Sequence, residues 1–85
     1  MEKKTTFKII IADSPSEIEY LFNRVATVFG KDNKSRKFIE KVKATEHIKD
    51  SEKRIEEFMK LWAKGKDYEL LIDRRCDKLF ITISF

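Results

Sequence analysis

The segment Asp13-Ser14-Pro15 constrains the fold more than any other part of the chain, because two different periodicities meet there. Before it, the spacing of apolar side chains over residues 7–11 is typical of a strand. After it, Ser14 can cap a helix that has Pro15 as its first residue, and Gly30 can end that helix. The apolar stripe of this helix consists of Ile18, Leu21, Phe22, Val25, Val28 and Phe29. A strand followed by an amphipathic helix therefore opens the chain.

The middle of the chain carries two apolar stripes that are out of phase. The first consists of Phe38, Ile39 and Val42, and the second of Ile48, Ile55, Phe58, Met59 and Trp62. From Val42 to Ile55 the accumulated rotation, at ~100° per residue, leaves the two side chains about 140° apart round a helix. We therefore expect two helical pieces with a break near residues 45–50 and a cap at Asp50 or the next residue. A strand over residues 38–48 is the alternative, because that segment also fits an alternation.

Residues 67–85 alternate in the manner of a β-hairpin, with a short polar turn around Arg74-Arg75-Cys76-Asp77. The element order is therefore strand, helix, broken helix and hairpin. We predict one α+β domain over residues 1–85, with the helices packed on one face of a three-stranded antiparallel or mixed sheet. A strand in the middle of the chain would make the sheet four-stranded.

Composition limits the class of protein. The chain has 85 residues, of which 19 are basic and 15 acidic, and 41% of all residues are hydrophobic. A domain of this size cannot enclose a deep substrate cavity. No apolar run approaches the roughly 20 residues of a membrane span, and the start lacks a secretory signal. Because the lone Cys76 cannot form an internal disulfide, we predict a cytoplasmic protein with no membrane partner. The Lys- and Glu-rich composition without Gln is typical of thermophiles.

Few residues are suited to catalysis or metal binding. His47 is the only histidine, and Cys76, although basic neighbours favour its thiolate, lies in a turn with no nearby base. There is no cysteine pair with zinc spacing and no glycine-rich phosphate loop. We therefore predict no catalytic residues, no metal, no cofactor and no enzymatic activity.

Two basic stretches, residues 31–43 and 74–78, favour nucleic-acid binding as the second hypothesis. The candidate phosphate contacts are Lys31, Lys34, Arg36, Lys37, Lys41, Arg74, Arg75 and Lys78. If the two stretches share a face, they form a track for an RNA or DNA backbone.

A third hypothesis is a small RNase-like enzyme that uses Tyr68, Arg74 and Arg75. The element order is loosely similar to that of small ribosome-dependent RNase toxins, which place basic, Tyr or His side chains on the sheet. No residue motif accompanies this similarity, so no family is assigned.

The leading hypothesis depends on a surplus of apolar side chains in the sheet. The side chains expected to face the helices are Phe7, Ile9, Ile11, Leu70, Ile72, Leu79, Ile81 and Ile83. Ile10, Leu71 and Phe80 then point to the other face, and the last strand, ending at Phe85, is expected to offer an open edge. We predict a non-enzymatic protein-interaction module of the small regulator or inhibitor type. It would act through this sheet face or an edge, as a homodimer or bound to a protein partner.

Overall fold

The computed structural model describes residues 5–28, 35–63 and 67–84. Its elements are β1 (Thr6–Ala12), α1 (Pro15–Val28), α2 (Arg36–Thr45), α3 (Ser51–Trp62), β2 (Glu69–Arg75) and β3 (Lys78–Ser84). The predicted α+β class is confirmed, with the helices on one face of a three-stranded antiparallel sheet. The helix end expected at Gly30 lies outside the described residues, as does Phe85.

The break in the middle of the chain occurs where the two apolar stripes change phase. Asp50 caps α3 by accepting a hydrogen bond from the Lys53 backbone N–H at 3.2 Å. Ser35 caps α2 in the same way, through the Phe38 N–H at 3.2 Å. The alternative of a strand over 38–48 is wrong, because buried side chains recur four and three residues apart along α2 and no fourth strand joins the sheet in the described chain.

The strand order is β1-β3-β2, so the last strand lies in the centre of the sheet. Ile81 of β3 lies opposite Ile9 on one side and opposite Ile72 on the other. The expectation that the last strand offers an open edge is therefore wrong, and the edges are β1 and β2. Leu79 and Ile83 of β3 are fully buried, and a central position gives such side chains the most cover.

The core lies between the helices and the inner face of the sheet. Its buried members are Ile11, Ile18, Leu21, Phe22, Val25, Ala26, Phe38, Val42, Ile55, Phe58, Met59, Leu79, Ile81 and Ile83. Phe22 of α1 and Phe58 of α3 stack at its centre with ring centroids 3.8 Å apart. None of the helices in the described ranges is long and apolar enough to cross a bilayer.

The hairpin turn contains a backbone conformation that glycine adopts more readily than cysteine. Cys76 has φ 56°, the left-handed region in which a Cβ atom is crowded. Replacing Cys76 with glycine relieves about 1–2 kcal/mol of crowding and adds about 0.5–1 kcal/mol of unfolded-state entropy. We therefore expect Cys76→Gly to raise the free energy of unfolding by up to about 1 kcal/mol, measured by chemical denaturation.

Cys76→Ser is the control for this prediction, because it removes the thiol and keeps the Cβ atom. We expect it to leave stability unchanged. A glycine variant no more stable than the serine variant would show that the turn carries no strain.

Candidate functional site

One face of the sheet, which we call the outer face, points away from the helices and carries exposed apolar side chains. Ile10 of β1 lies directly opposite Phe80 of β3, and Leu71 of β2 is diagonal to Phe80 across the other ladder. Ile10 is 59% exposed and Leu71 is 69% exposed. No described helix lies over these side chains. The structure therefore brings together three of the four residues predicted for a partner interface, and the fourth, Phe85, is outside the described residues.

Charged side chains border the apolar part of the outer face. The Arg75 guanidinium lies over the Phe80 ring, 5.2 Å from its centroid, and its Nε donates to the Asp73 carboxylate at 2.7 Å. Lys78 lies opposite Arg75, and Lys8 lies opposite Thr82 on the same face. Phe80 is only half-exposed and is covered in part by Arg75. The outer face thus has an apolar centre flanked by charged residues of both signs, with Lys78 and Arg75 at one end, Glu69 at the other, and Lys8 and Asp73 beside the apolar side chains.

Arg74 points to the opposite side of the sheet from Arg75, because successive residues of a strand alternate in direction. Its guanidinium lies 3.5 Å from Asp13, 3.8 Å from Asp50 and 3.7 Å from Glu52. The hydroxyl of Ser51 also donates to the Asp13 carboxylate. Three carboxylates from two parts of the chain, the end of β1 and the start of α3, therefore surround Arg74 and tie the hairpin to the start of α3. These carboxylates neutralise the positive charge of Arg74, which the sequence analysis predicted to contact phosphate.

The two basic stretches do not form one surface. Arg36 and Lys37 are exposed on α2, which belongs to the helical layer, whereas Arg75 and Lys78 belong to the outer face. The Lys41 ammonium lies over the Trp62 ring, 5.5 Å from its centroid. Two further predicted phosphate contacts, Lys31 and Lys34, lie outside the described residues. The described chain thus offers no continuous basic track from α2 to the hairpin.

Arg54 of α3 is a buried cation that the sequence reasoning did not single out. It is 7% exposed, and its Nε donates to the Thr45 hydroxyl at 3.3 Å. Its guanidinium lies 5.4 Å from the centroid of the Phe22 ring, and Nη2 has no partner in the described part of the chain. Its position four residues before Phe58, on the apolar stripe of α3, is the sequence signal that could have revealed it.

Arg54 also lines a groove of about 530 Å³ between the starts of α1 and α3. The other charged residues of this groove are Asp13, Glu19, Glu46 and Lys49. Carboxylates therefore outnumber cations on its wall, which disfavours a small anion as its occupant. We assign Arg54 a structural role.

Within the described residues, the structure does not bring together the residues that the sequence offered as candidates for catalysis. His47 and Cys76 are both exposed. Tyr68 packs against the core just before β2, roughly 20 Å along the strand from Arg74 at ~3.3 Å per residue. Among the described residues, no three His, Cys, Asp or Glu side chains converge as metal ligands do.

Comparison with known proteins adds no family to this geometry. No family model, curated protein or solved structure matches the chain. The functional argument therefore depends on the outer face and its surroundings.

Proposed function

We propose that this chain is a non-enzymatic protein-interaction module that docks a partner protein on its outer face and works as a homodimer. The observation that carries the proposal is the apolar group Ile10, Leu71 and Phe80, which lies on neighbouring strands of a sheet face without described cover. Exposed apolar side chains gathered on one surface mark interaction sites more often than chance allows.

The composition of the outer face supports a protein partner. An aromatic and two aliphatic side chains occupy its centre, and charged side chains of both signs border them: Lys8, Glu69, Asp73, Arg75 and Lys78. Protein interfaces commonly combine an apolar centre with a polar rim, and arginine and aromatic residues are enriched in them. The three-stranded face also holds Phe80 in a fixed position, because β3 is held by ladders on both sides.

The test is affinity capture from native cells with two baits, the wild-type chain and the double variant Ile10→Lys/Leu71→Lys. Both side chains are exposed, so the double variant is expected to fold. Burying one such side chain contributes about 1.5–3 kcal/mol, so capture of a partner that docks there should fall at least tenfold. Quantitative mass spectrometry of the captured proteins measures the ratio.

Tyr20→Lys/Leu61→Lys is the matched control, since both residues are exposed apolar side chains of the helical layer. Proteins that dock on the outer face should be captured equally well by this control variant and by the wild-type chain. If every captured protein binds the outer-face variant as well as the control, the outer face is not the docking surface.

Nucleic-acid binding is the second candidate, and one observation favours it. Phe80 lies in the central strand with Arg75 over its ring and Lys78 nearby, a combination that single-stranded nucleic acids can use for stacking and phosphate contacts. This hypothesis predicts that nuclease treatment abolishes capture and that affinity for RNA or DNA falls steeply with salt. Capture that survives nuclease and 0.5 M salt would count against it.

A further inference from the structure

The edge strand β2 is charge-complementary to itself. Its sequence, Glu69-Leu70-Leu71-Ile72-Asp73-Arg74-Arg75, has an acidic residue at its start and basic residues at its end. Among the described residues β2 pairs with β3 on one side only, so every second residue turns its backbone N–H and C=O groups outward. Such an edge is a template for another strand.

We propose that two copies of this chain join through antiparallel pairing of their β2 strands about Ile72, which forms a six-stranded sheet. In this register Glu69 lies opposite Arg75 of the partner subunit, and the two-fold axis repeats the pair. Ile72 lies opposite Ile72 of the partner subunit. The inference specifies the homodimer of the proposed function and leaves the outer face open to a different partner.

The charges of β2 select this register over its neighbours. A two-fold axis perpendicular to the sheet keeps both helical layers on one side and pairs residues of the same face, so the registers differ by steps of two. In the register centred on Leu71, Glu69 lies opposite Asp73 of the partner subunit. In the register centred on Asp73, the two copies of Asp73 lie opposite each other. Like charges directly opposite each other are destabilising. Pairing about Ile72 overlaps all seven residues without a like-charge pair.

The half-buried side chains on the inner face of β2 fit the same arrangement. Leu70 and Ile72 pack against the core but are only partly covered. Pairing about Ile72 brings the two Ile72 side chains together and extends the apolar layer across the dimer axis. The other edge strand, β1, lacks this complementarity, because Lys8 is its only charged residue.

Pairing at β2 also enlarges the outer face. Leu71 lies opposite Asp73 of the partner subunit, so the two Leu71 side chains are diagonal neighbours on one surface. Because each copy contributes Ile10 and Phe80 as well, the apolar group doubles within one continuous sheet. A homodimer therefore presents a partner with a larger apolar surface than a monomer does.

Charge reversal and its rescue test the proposal. Sedimentation equilibrium over a concentration series should show dimers of the wild-type chain. Glu69→Lys and Arg75→Glu should each weaken dimerisation about tenfold, because two opposite-charge pairs become like-charge pairs. The double variant Glu69→Lys/Arg75→Glu should return the dissociation constant to within about threefold of wild type. Residues 69 and 75 are roughly 20 Å apart in one chain, so rescue must be intermolecular.

Asp73→Lys makes the same charge change on the same face of the same strand, and it also removes the 2.7 Å ion pair that Asp73 makes with Arg75 of its own chain. We expect it to weaken dimerisation less than Glu69→Lys does, because Asp73 lies opposite Leu71 of the partner subunit. A wild-type chain that stays monomeric at every concentration, or a double variant that fails to recover, would overturn the proposal.

Crosslinking provides a second measurement of the register. In a Cys76→Ser background, oxidation of Ile72→Cys should give a covalent dimer, because residue 72 lies opposite its own copy within disulfide range. Leu70→Cys should not, since the two copies of residue 70 are then four positions apart along the strands. Equal crosslinking of the two variants contradicts pairing about Ile72. A monomer that still captures partners through its outer face would overturn this inference and the homodimer, but not the docking function. A dimer that captures none would overturn the docking function alone.

Discussion

Replacing Phe58 with alanine is expected to lower the free energy of unfolding by about 3–5 kcal/mol, the usual cost of removing a large aromatic side chain from a core. Phe58 has no exposed surface and stacks between Phe22 and Trp62, with centroid distances of 3.8 Å and 5.9 Å. The Phe38 ring meets its edge at 5.9 Å. Deleting the ring therefore leaves a cavity where all three helices meet.

An effect of that size is comparable with the whole stability of a domain of this length, on the order of 4–13 kcal/mol. Urea denaturation followed by circular dichroism measures the loss. The control is Leu61→Ala on the same helix, which is 42% exposed and should cost much less. If the two variants lose equal free energy of unfolding, the aromatic cluster around Phe58 is not the main stabilising part of the core.

Thr45→Val is expected to destabilise the protein by about 1–3 kcal/mol, because it leaves the buried Arg54 Nε without an acceptor. The Thr45 hydroxyl accepts from Arg54 at 3.3 Å and donates to the Val42 carbonyl at 2.9 Å. Thr45 is itself buried, so water does not replace the lost partner easily. Thermal and urea denaturation measure the change.

Arg54→Met is the informative companion variant. It keeps an unbranched stem over the Phe22 ring and removes a charge whose Nη2 has no partner among the described residues, so we expect stability within about 1 kcal/mol of wild type. In the Arg54→Met background, Thr45→Val should lower the free energy of unfolding by less than it does in the wild-type chain. If the two costs are equal, the hydrogen bond between Thr45 and Arg54 contributes nothing to folding.

The proposed dimer and the proposed docking surface use different parts of the same sheet. Pairing uses the outward backbone groups of β2 around Ile72, whereas docking uses the side chains of Ile10, Leu71 and Phe80, of which Leu71 also belongs to β2. Edge pairing therefore protects an exposed strand from uncontrolled association and enlarges the surface available to a partner. The charge-swap and capture experiments separate these two roles.

Much of the fold follows from local patterns. The start of α1 at Pro15, the break before Asp50 and the hairpin turn at Cys76 are all encoded within a few neighbouring residues. Alternation also assigned Ile10, Leu71 and Phe80 to the face opposite the helices. These features are predictable because caps, turns and periodicity depend on contacts between residues close in sequence.

The candidate site was less predictable, because pairing between distant segments decided it. Arg74 and Arg75 are adjacent in the sequence, yet one is surrounded by carboxylates on the helix side and the other lies over Phe80. Strand alternation alone predicts that Arg74 and Arg75 point to opposite faces of the sheet, but it does not predict their partners. Only the packed structure brings Asp13 and Glu52 to Arg74 and so changes what that cation can bind.

The sequence by itself determined β1, α1, α3 and the hairpin, their order and the face that each sheet residue occupies, since these depend on local conformation and periodicity. It left residues 38–48 open between helix and strand, and the structure decided for a helix. The tertiary structure decided that β3 lies between β1 and β2, and thereby which strands have open edges. It also decided that Arg54 is buried while other charges of α3 are solvated. Both outcomes depend on contacts between segments that are far apart in the chain. Local sequence patterns do not contain this information.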